Sequence, residues 1–170
     1  MKRILCILVV AVQLVACSKN PITGRNQLTL FSEAEIQTMA TQEYQSFLTK
    51  NKVVTTNTSK DAEMVRRIGI RISTAVTAYF TDKGWKNELA GYKWEYNLVD
   101  SKEANAWCMP GGKIVVYTGL LPITQNEAAL AVVMGHEVAH AVAKHGNERM
   151  SQGMVQQLGG VALSVALANK

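Results

Sequence analysis

The sequence contains few cysteines and few aromatic residues, and it has no strong excess of charge of one sign. Aromatic residues make up 6% of the chain and charged residues 18%, whereas hydrophobic residues make up 48%. This composition excludes a disordered chain and, with 170 residues, favours one globular domain with a sizeable core. The formal net charge is +5, but the basic residues are scattered and form no stripe with interleaved aromatics. We therefore expect no nucleic-acid partner.

The sequence also lacks an apolar run of the roughly 20 residues that a membrane-spanning helix needs. The apolar residues 4–15 follow the basic pair Lys2 and Arg3 and lead into small residues. This pattern is typical of a secretory signal peptide, here residues 1–16. A buried N-terminal strand or helix is the alternative, but it leaves the basic pair and the polar switch at Ser18 unexplained. The late segment "LGGVALSVALA" is also too short to span a bilayer.

The end of this signal, "LVAC" at residues 14–17, resembles the bacterial lipobox. The resemblance implies that Cys17 receives a diacylglycerol thioether and becomes the acylated first residue. One acyl chain holds a protein on a membrane only marginally, whereas two or more give stable anchoring. Ser18, rather than an aspartate, follows the cysteine, which by the sorting rule of Gram-negative envelopes implies the outer membrane. We therefore expect a lipid-anchored protein of the bacterial cell envelope that faces the periplasm.

The three cysteines form no disulfide framework. Cys6 leaves with the signal and Cys17 is consumed by lipid, so Cys108 has no partner within the mature chain. We interpret Cys108 as a small buried hydrophobic residue, with an intermolecular bridge as the alternative.

Along the mature chain there is no internal repeat and no low-complexity tract. Residues 17–31 carry Pro21 and Gly24 and are predicted to be an irregular arm. Apolar residues at helical spacing predict helices over about residues 33–50 and 61–80. Alternation of large and polar residues predicts a strand over 92–99.

The second half of the chain combines a tight turn with two apolar helices. Pro110-Gly111-Gly112 separates "NAWCM" from "KIVVY" and predicts a hairpin or a tight reversal. A capping box at Thr124 and Glu127 predicts a helix over about 125–145 that stops at Gly146. A last apolar helix is expected over about 148–168.

The chemistry is concentrated in "GHEVAH" within the first of these two helices. His136 and His140, four residues apart, stack on one helical face with Cβ atoms about 6 Å apart, so both imidazoles reach one zinc ion. Glu137, rotated about 100° from His136, is placed to take a proton from a zinc-bound water. A core helix with hydrogen-bonded histidines is the alternative, but burying three ionisable groups in an apolar helix is costly without a metal or partners.

Two other residues of this region fit a zinc site poorly. His145 is one residue early for a metzincin-type third histidine, and Ala143 stands where that motif needs glycine. We expect His145 to be a surface or second-sphere residue. Glu148 lies about 12 Å farther along the helix axis than His140, so neither residue is spaced to supply a third ligand.

Three separated segments, "NPITGRNQL", "ANAWCMPGGKIVVYTGLL" and "NEAALAVVMGHEVAHAVAKHGNERMS", resemble the family-forty-eight zinc metallopeptidases. This is the family of HtpX and CAAX prenyl proteases, and the similarity is greatest to its bacterial lipoprotein branch. The resemblance implies an α+β, gluzincin-like fold, mostly helical, with a small β-sheet packed on the HExxH helix. It also implies that His136 and His140 bind one Zn²⁺ and that Glu137 is the general base. Substrate peptide is expected to lie extended along an edge strand formed by Lys113, Ile114, Val115, Val116 and Tyr117.

The family's third zinc ligand is a glutamate on a later helix, and no acidic residue follows Glu148 here. We therefore expect the third ligand beyond residue 170, and we expect residues 32–170 to be the N-terminal part of a metallopeptidase domain. A short, inactive relative is the alternative.

The resulting hypothesis is a zinc metalloendopeptidase of the bacterial envelope (EC 3.4.24 type). It would act on protein or peptide substrates in quality control of membrane-associated proteins. The alternative is a catalytically inactive lipoprotein that binds unfolded or assembling envelope proteins.

Overall fold

The computed structural model describes residues 17–57 and 59–168, and the signal peptide predicted at residues 1–16 lies outside them. The strands are β1 (Cys17–Lys19), β2 (Asn26–Leu28), β3 (Val53–Val54), β4 (Glu95–Val99), β5 (Ala106–Met109) and β6 (Lys113–Tyr117). The α-helices are α1 (Glu33–Lys50), α2 (Lys60–Asp82), α3 (Leu121–Thr124), α4 (Glu127–Val142) and α5 (His145–Ala168). Short 3-10 helices cover Lys86–Leu89 and Thr118–Leu120. The predicted α+β architecture, mostly helical with a small sheet, is confirmed.

The chain divides into two compact units, of which one contains the described residues 17–33 and 145–168. Here β1 and β2 pair antiparallel, so the irregular arm predicted for residues 17–31 is wrong over these strands. The connection is a turn in which the Asn20 side chain accepts hydrogen bonds from the amides of Ile22 and Thr23. Sequence periodicity misses such a hairpin because its strands are only three residues long.

The other unit, residues 34–144, contains a four-stranded sheet in the order β3-β4-β6-β5. Strand β4 runs parallel to β6, whereas β3 and β5 are antiparallel to their neighbours. The predicted Pro-Gly-Gly hairpin is confirmed between β5 and β6. Both turn glycines have positive φ, at 84° for Gly111 and 83° for Gly112, which is the conformation that glycine adopts without strain.

Helices cover both faces of this sheet. On one face Tyr44 of α1 packs with Val99 and Val115, all fully buried, and Phe47 and Trp107 pack against them. On the other face α2 packs on β4 and α4 packs on β5. The predicted packing of the sheet on the HExxH helix is therefore confirmed. Across the described residues, no helix is both long and apolar enough to cross a membrane.

The predicted N-cap of the HExxH helix, Thr124, is wrong. The N-cap is Asn126, whose side-chain oxygen accepts a hydrogen bond from the amide of Ala129 at 2.9 Å. Thr124 instead ends the short helix α3, and its hydroxyl donates to the Leu121 carbonyl. The capping-box pattern is misleading here because Thr124 belongs to the short helix α3, which ends just before the true N-cap.

The predicted end of this helix is also wrong. Helix α4 ends at Val142, and the left-handed residue after it is Lys144, with a φ of 59°, rather than Gly146. Gly146 lies in the first turn of α5. His145 therefore does not share a helix with His136 and His140.

Candidate metal centre and active site

The buried face of α4 decides where its ionisable residues lie. Leu130, Met134 and Val138, spaced four residues apart, are 0%, 0% and 1% exposed. Residues at this spacing form one stripe of a helix, so burying that stripe turns the opposite side outward. His136 and His140 lie on that opposite side and are solvent-exposed. The apolar pattern of α4 thus presents the histidine pair at the surface.

The two imidazoles converge. Nε2 of His136 and Nε2 of His140 are 2.9 Å apart, and the ring planes are 84° to one another. Two nitrogens bound at about 2.0 to 2.1 Å to a tetrahedral ion lie about 3.3 Å apart, so a shift of a few tenths of an ångström would seat both on one ion. Imidazole nitrogen is also a preferred zinc donor. The pair therefore fits a zinc ion as two of its ligands.

The predicted general base lies beside this pair and near β5. Glu137 is partly exposed, and its carboxylate acts electrostatically on the Cys108 thiol of β5. Burial, followed by the negative charge of Glu137, raises the pKa of Cys108 to about 12. The thiol is therefore protonated at neutral pH.

His145 and Glu148 belong to the other compact unit. Both lie in α5, where the Glu148 carboxylate is held by Arg25 at 2.8 Å and by Gln27 at 3.3 Å. Over residues 17–57 and 59–168, no three His, Cys, Asp or Glu side chains are placed to hold one ion together. The described residues thus supply two candidate zinc ligands and a neighbouring carboxylate.

The strand predicted to bind substrate is not an edge strand. Residues 113–117 form β6, which is hydrogen-bonded to β4 on one side and to β5 on the other. Residues 113–116 are also buried, and the Lys113 ammonium donates to the Glu95 carboxylate and to the Lys93 carbonyl, both at 2.6 Å. A strand with two neighbours has no free main-chain groups left for a peptide.

The open edge beside α4 is β5. The Tyr117 amide donates to the Asn105 carbonyl, which identifies the hydrogen-bonded pairs of this antiparallel ladder. Because such pairs alternate, Trp107 and Met109 direct their main-chain groups toward β6, whereas Ala106 and Cys108 direct theirs outward. No other strand of the described chain pairs with this outer edge.

Sequence reasoning missed β5 because the pairing is not sequential. The hairpin turn correctly joins β5 to β6, but the parallel pairing of β6 with β4 depends on contacts between distant residues. Only that pairing moves β6 to the interior of the sheet. The sequence nevertheless indicated an internal strand, because the residues that follow Lys113, at 114–116, are all apolar.

Comparisons with known proteins show which family the chain resembles. Residues 71–170 match the family model described as peptidase family M48. The metalloprotease LoiP of Escherichia coli is 30% identical over 139 residues, covering 81% of this chain and 47% of that protein. The mitochondrial metalloendopeptidase OMA1 of Bos taurus is 30% identical over 137 residues, covering 78% of this chain and 24% of that protein. Its counterpart in Arabidopsis thaliana is 46% identical over 68 residues, covering 40% of this chain and 14% of that protein.

The matches cover a larger share of this chain than of these relatives. The matches extend over as much as four fifths of this chain but span less than half of the length of each of these three relatives.

Proposed function

Because this chain belongs to peptidase family M48, we propose that it carries the zinc-binding helix and the substrate edge of a metalloendopeptidase. The observation that carries the proposal is the convergence of the His136 and His140 Nε2 atoms, 2.9 Å apart, on the exposed side of α4. The family match and the similarity to proteins named as metalloendopeptidases support the same function.

The residues of α4 have separate roles in this proposal. His136 and His140 would hold a zinc ion, which when bound polarises a peptide carbonyl and acidifies water. The Glu137 carboxylate accepts a proton from the attacking water and returns it to the departing amine nitrogen. Glu137 is suited to this because it adjoins the histidine pair without converging on the same point, so its carboxylate stays available for proton transfer.

We place the substrate on the outer edge of β5 rather than on β6. An extended peptide would pair there through the outward main-chain groups of Ala106 and Cys108, as in other cases of β-strand addition. Because the same face of the sheet packs on α4, a peptide on this edge would lie alongside the helix that carries Glu137. Main-chain pairing of this kind selects extended, unfolded segments rather than folded surfaces.

Zinc binding is tested by removing one histidine. In the full-length protein, His140→Ala should lower the zinc affinity by more than about 100-fold, because loss of a residue that only hydrogen-bonds to a zinc ligand already costs about 10- to 100-fold. The measurement is titration with zinc against a competing chelator. His145→Ala, the same substitution outside α4, is the matched control and should leave the affinity unchanged. Equal zinc affinity in wild type and His140→Ala would exclude this site.

We propose that the protein is held at a membrane of the bacterial envelope through lipid on Cys17, facing the periplasm, with the outer membrane as its site. The "LVAC" lipobox and Ser18 support this location. The relatives support it only in part, since LoiP is a bacterial protein but the OMA1 relatives are mitochondrial. A role in quality control of membrane-associated proteins would follow from this location together with a preference for unfolded segments.

The anchor is tested at the acylated residue itself. Cys17→Ser should leave an uncleaved precursor without fatty-acid label, because the thioether that precedes cleavage needs the sulfur. The measurement is the mass of the protein together with incorporation of labelled palmitate. Cys6→Ser is the matched control and should be processed normally. Normal processing of Cys17→Ser would refute lipid anchoring while leaving the zinc site untouched.

A further inference from the structure

The C-terminal end of α4 is bonded to a side chain from elsewhere in the chain. The last carbonyls of a helix lack intrahelical partners, so the final turn tends to fray. Helix α4 ends at Val142, only two residues after His140. The Ala141 carbonyl in this turn accepts hydrogen bonds from the Lys144 amide at 3.1 Å and from the Tyr92 hydroxyl at 3.2 Å. The Tyr92 bond therefore acts on the turn that carries His140.

A second contact joins the same two segments. Lys144 turns the chain in the left-handed conformation directly after α4, and its ammonium pairs with the Glu88 carboxylate at 2.7 Å. The two side chains are 20% and 26% exposed, so solvent screens this pair less than one at the surface. Residues 88–92 thus hold the end of α4 by one ion pair and one hydroxyl.

The segment that contacts the end of α4 is also hydrogen-bonded to the turn between β5 and β6. The Lys93 amide donates to the Gly111 carbonyl and the Glu95 amide to the Gly112 carbonyl, both at 2.9 Å. The Tyr92 and Trp94 rings are 5.2 Å apart, and the Trp94 ring lies so close to Gly112 that a Cβ there would stand 2.7 Å from it. A continuous series of contacts therefore runs from the end of α4 to the turn that ends β5.

We propose that Tyr92 is a positioning residue, whose hydroxyl fixes the His140-bearing turn of α4 relative to the Pro-Gly-Gly turn of β5. Its ring provides packing, which phenylalanine would reproduce. Its hydroxyl provides the link to α4, which phenylalanine would not. The part of this inference that concerns zinc and substrate rests on the proposed function. The part that concerns the end of the helix does not.

Amide hydrogen exchange on the metal-free protein tests the link directly, with Tyr92→Phe compared with wild type. A hydrogen bond of typical net strength corresponds to about 2- to 12-fold faster local opening when it is removed. We expect that increase at the Ala143 and Lys144 amides, which bond to the last turn of α4, and no change in α1 or β4. Tyr79→Phe is the matched control, since the described residues give the Tyr79 hydroxyl no hydrogen bond and its removal should change nothing.

The second readout is the rate at which a chelator removes zinc, which should rise in Tyr92→Phe by a similar factor. Glu88→Gln, which weakens the other contact to the same turn, should change both readouts in the same direction and serves if Tyr92→Phe does not fold. Unchanged exchange at the helix end, or an equal increase throughout the chain, would overturn the inference. Local exchange that responds while wild type binds no zinc would instead refute the proposed function alone.

Discussion

In the full-length protein, replacing Glu137 by glutamine is expected to reduce casein cleavage by about 10²- to 10⁴-fold while leaving the zinc content unchanged. A positioned general base contributes a factor of this size, and an amide cannot accept the proton. Metal is retained because His136 and His140, whose Nε2 atoms converge at 2.9 Å, are both present. The measurement is metal analysis beside a cleavage assay on the same preparation.

The matched control for this variant is Glu127→Gln, the same substitution at the other end of the same helix. Glu127 pairs with Arg67 at the surface, and both side chains are nearly half exposed, so this pair contributes little to stability. Cleavage by Glu127→Gln should stay within about twofold of wild type. Wild-type cleavage by Glu137→Gln would mean that another group takes the proton, and loss of zinc would mean that Glu137 ligates the metal.

Replacing Leu130 by alanine is expected to destabilise the protein by about 2 to 5 kcal/mol, the usual cost of a large-to-small change in a core. Leu130 is fully buried in α4. The cost combines the lost transfer of the side chain from water with the cavity that remains. Urea unfolding followed by circular dichroism measures it as a lower midpoint at an unchanged slope.

Val132→Ala, two residues along the same helix, is the control that makes this test informative about the site. Val132 is 72% exposed, so its truncation should change the free energy of unfolding by no more than about 0.5 kcal/mol. A large cost at Val132 and a small one at Leu130 would mean that α4 is turned the other way. In that case the histidine pair would face the core, and no zinc site would be accessible there.

The two tests address different requirements of the same helix. Leu130 reports whether the apolar stripe of α4 faces the sheet. Glu137 reports whether the residues on the outward side perform chemistry. Zinc binding without cleavage by wild type would favour the alternative of a non-catalytic binding protein. That outcome would leave the fold and the family membership unchanged.

The sequence alone determined those features whose cause is local. The histidine spacing is a property of any α-helix, since residues four apart stack whatever the helix packs against. The helix at 33–50 was predicted to the residue and that at 61–80 to within two residues, because apolar residues recur there at helical spacing. The hairpin at residues 106–117 followed from paired glycines, which supply the positive φ that its turn requires.

Boundaries were less predictable than elements because capping signals are short and compete. Thr124 with Glu127 reads as a capping box, yet the Asn126 side chain forms the cap because α3 occupies Thr124. Gly146 reads as a helix stop, yet Lys144 takes the left-handed position. In this conformation Lys144 forms an ion pair with Glu88, which is distant in sequence.

Only the tertiary structure decided which strand is open to a substrate. Parallel pairing of β4 with β6 joins residues 18 positions apart, such as Glu95 and Lys113, and it leaves β5 at the edge beside α4. A hairpin fixes which two strands are neighbours but not which of them receives a third, because that choice depends on the faces buried by α1, α2 and α4. The spacing of the histidine pair is therefore predictable from the sequence, whereas the identity of the open edge strand depends on how the sheet is assembled.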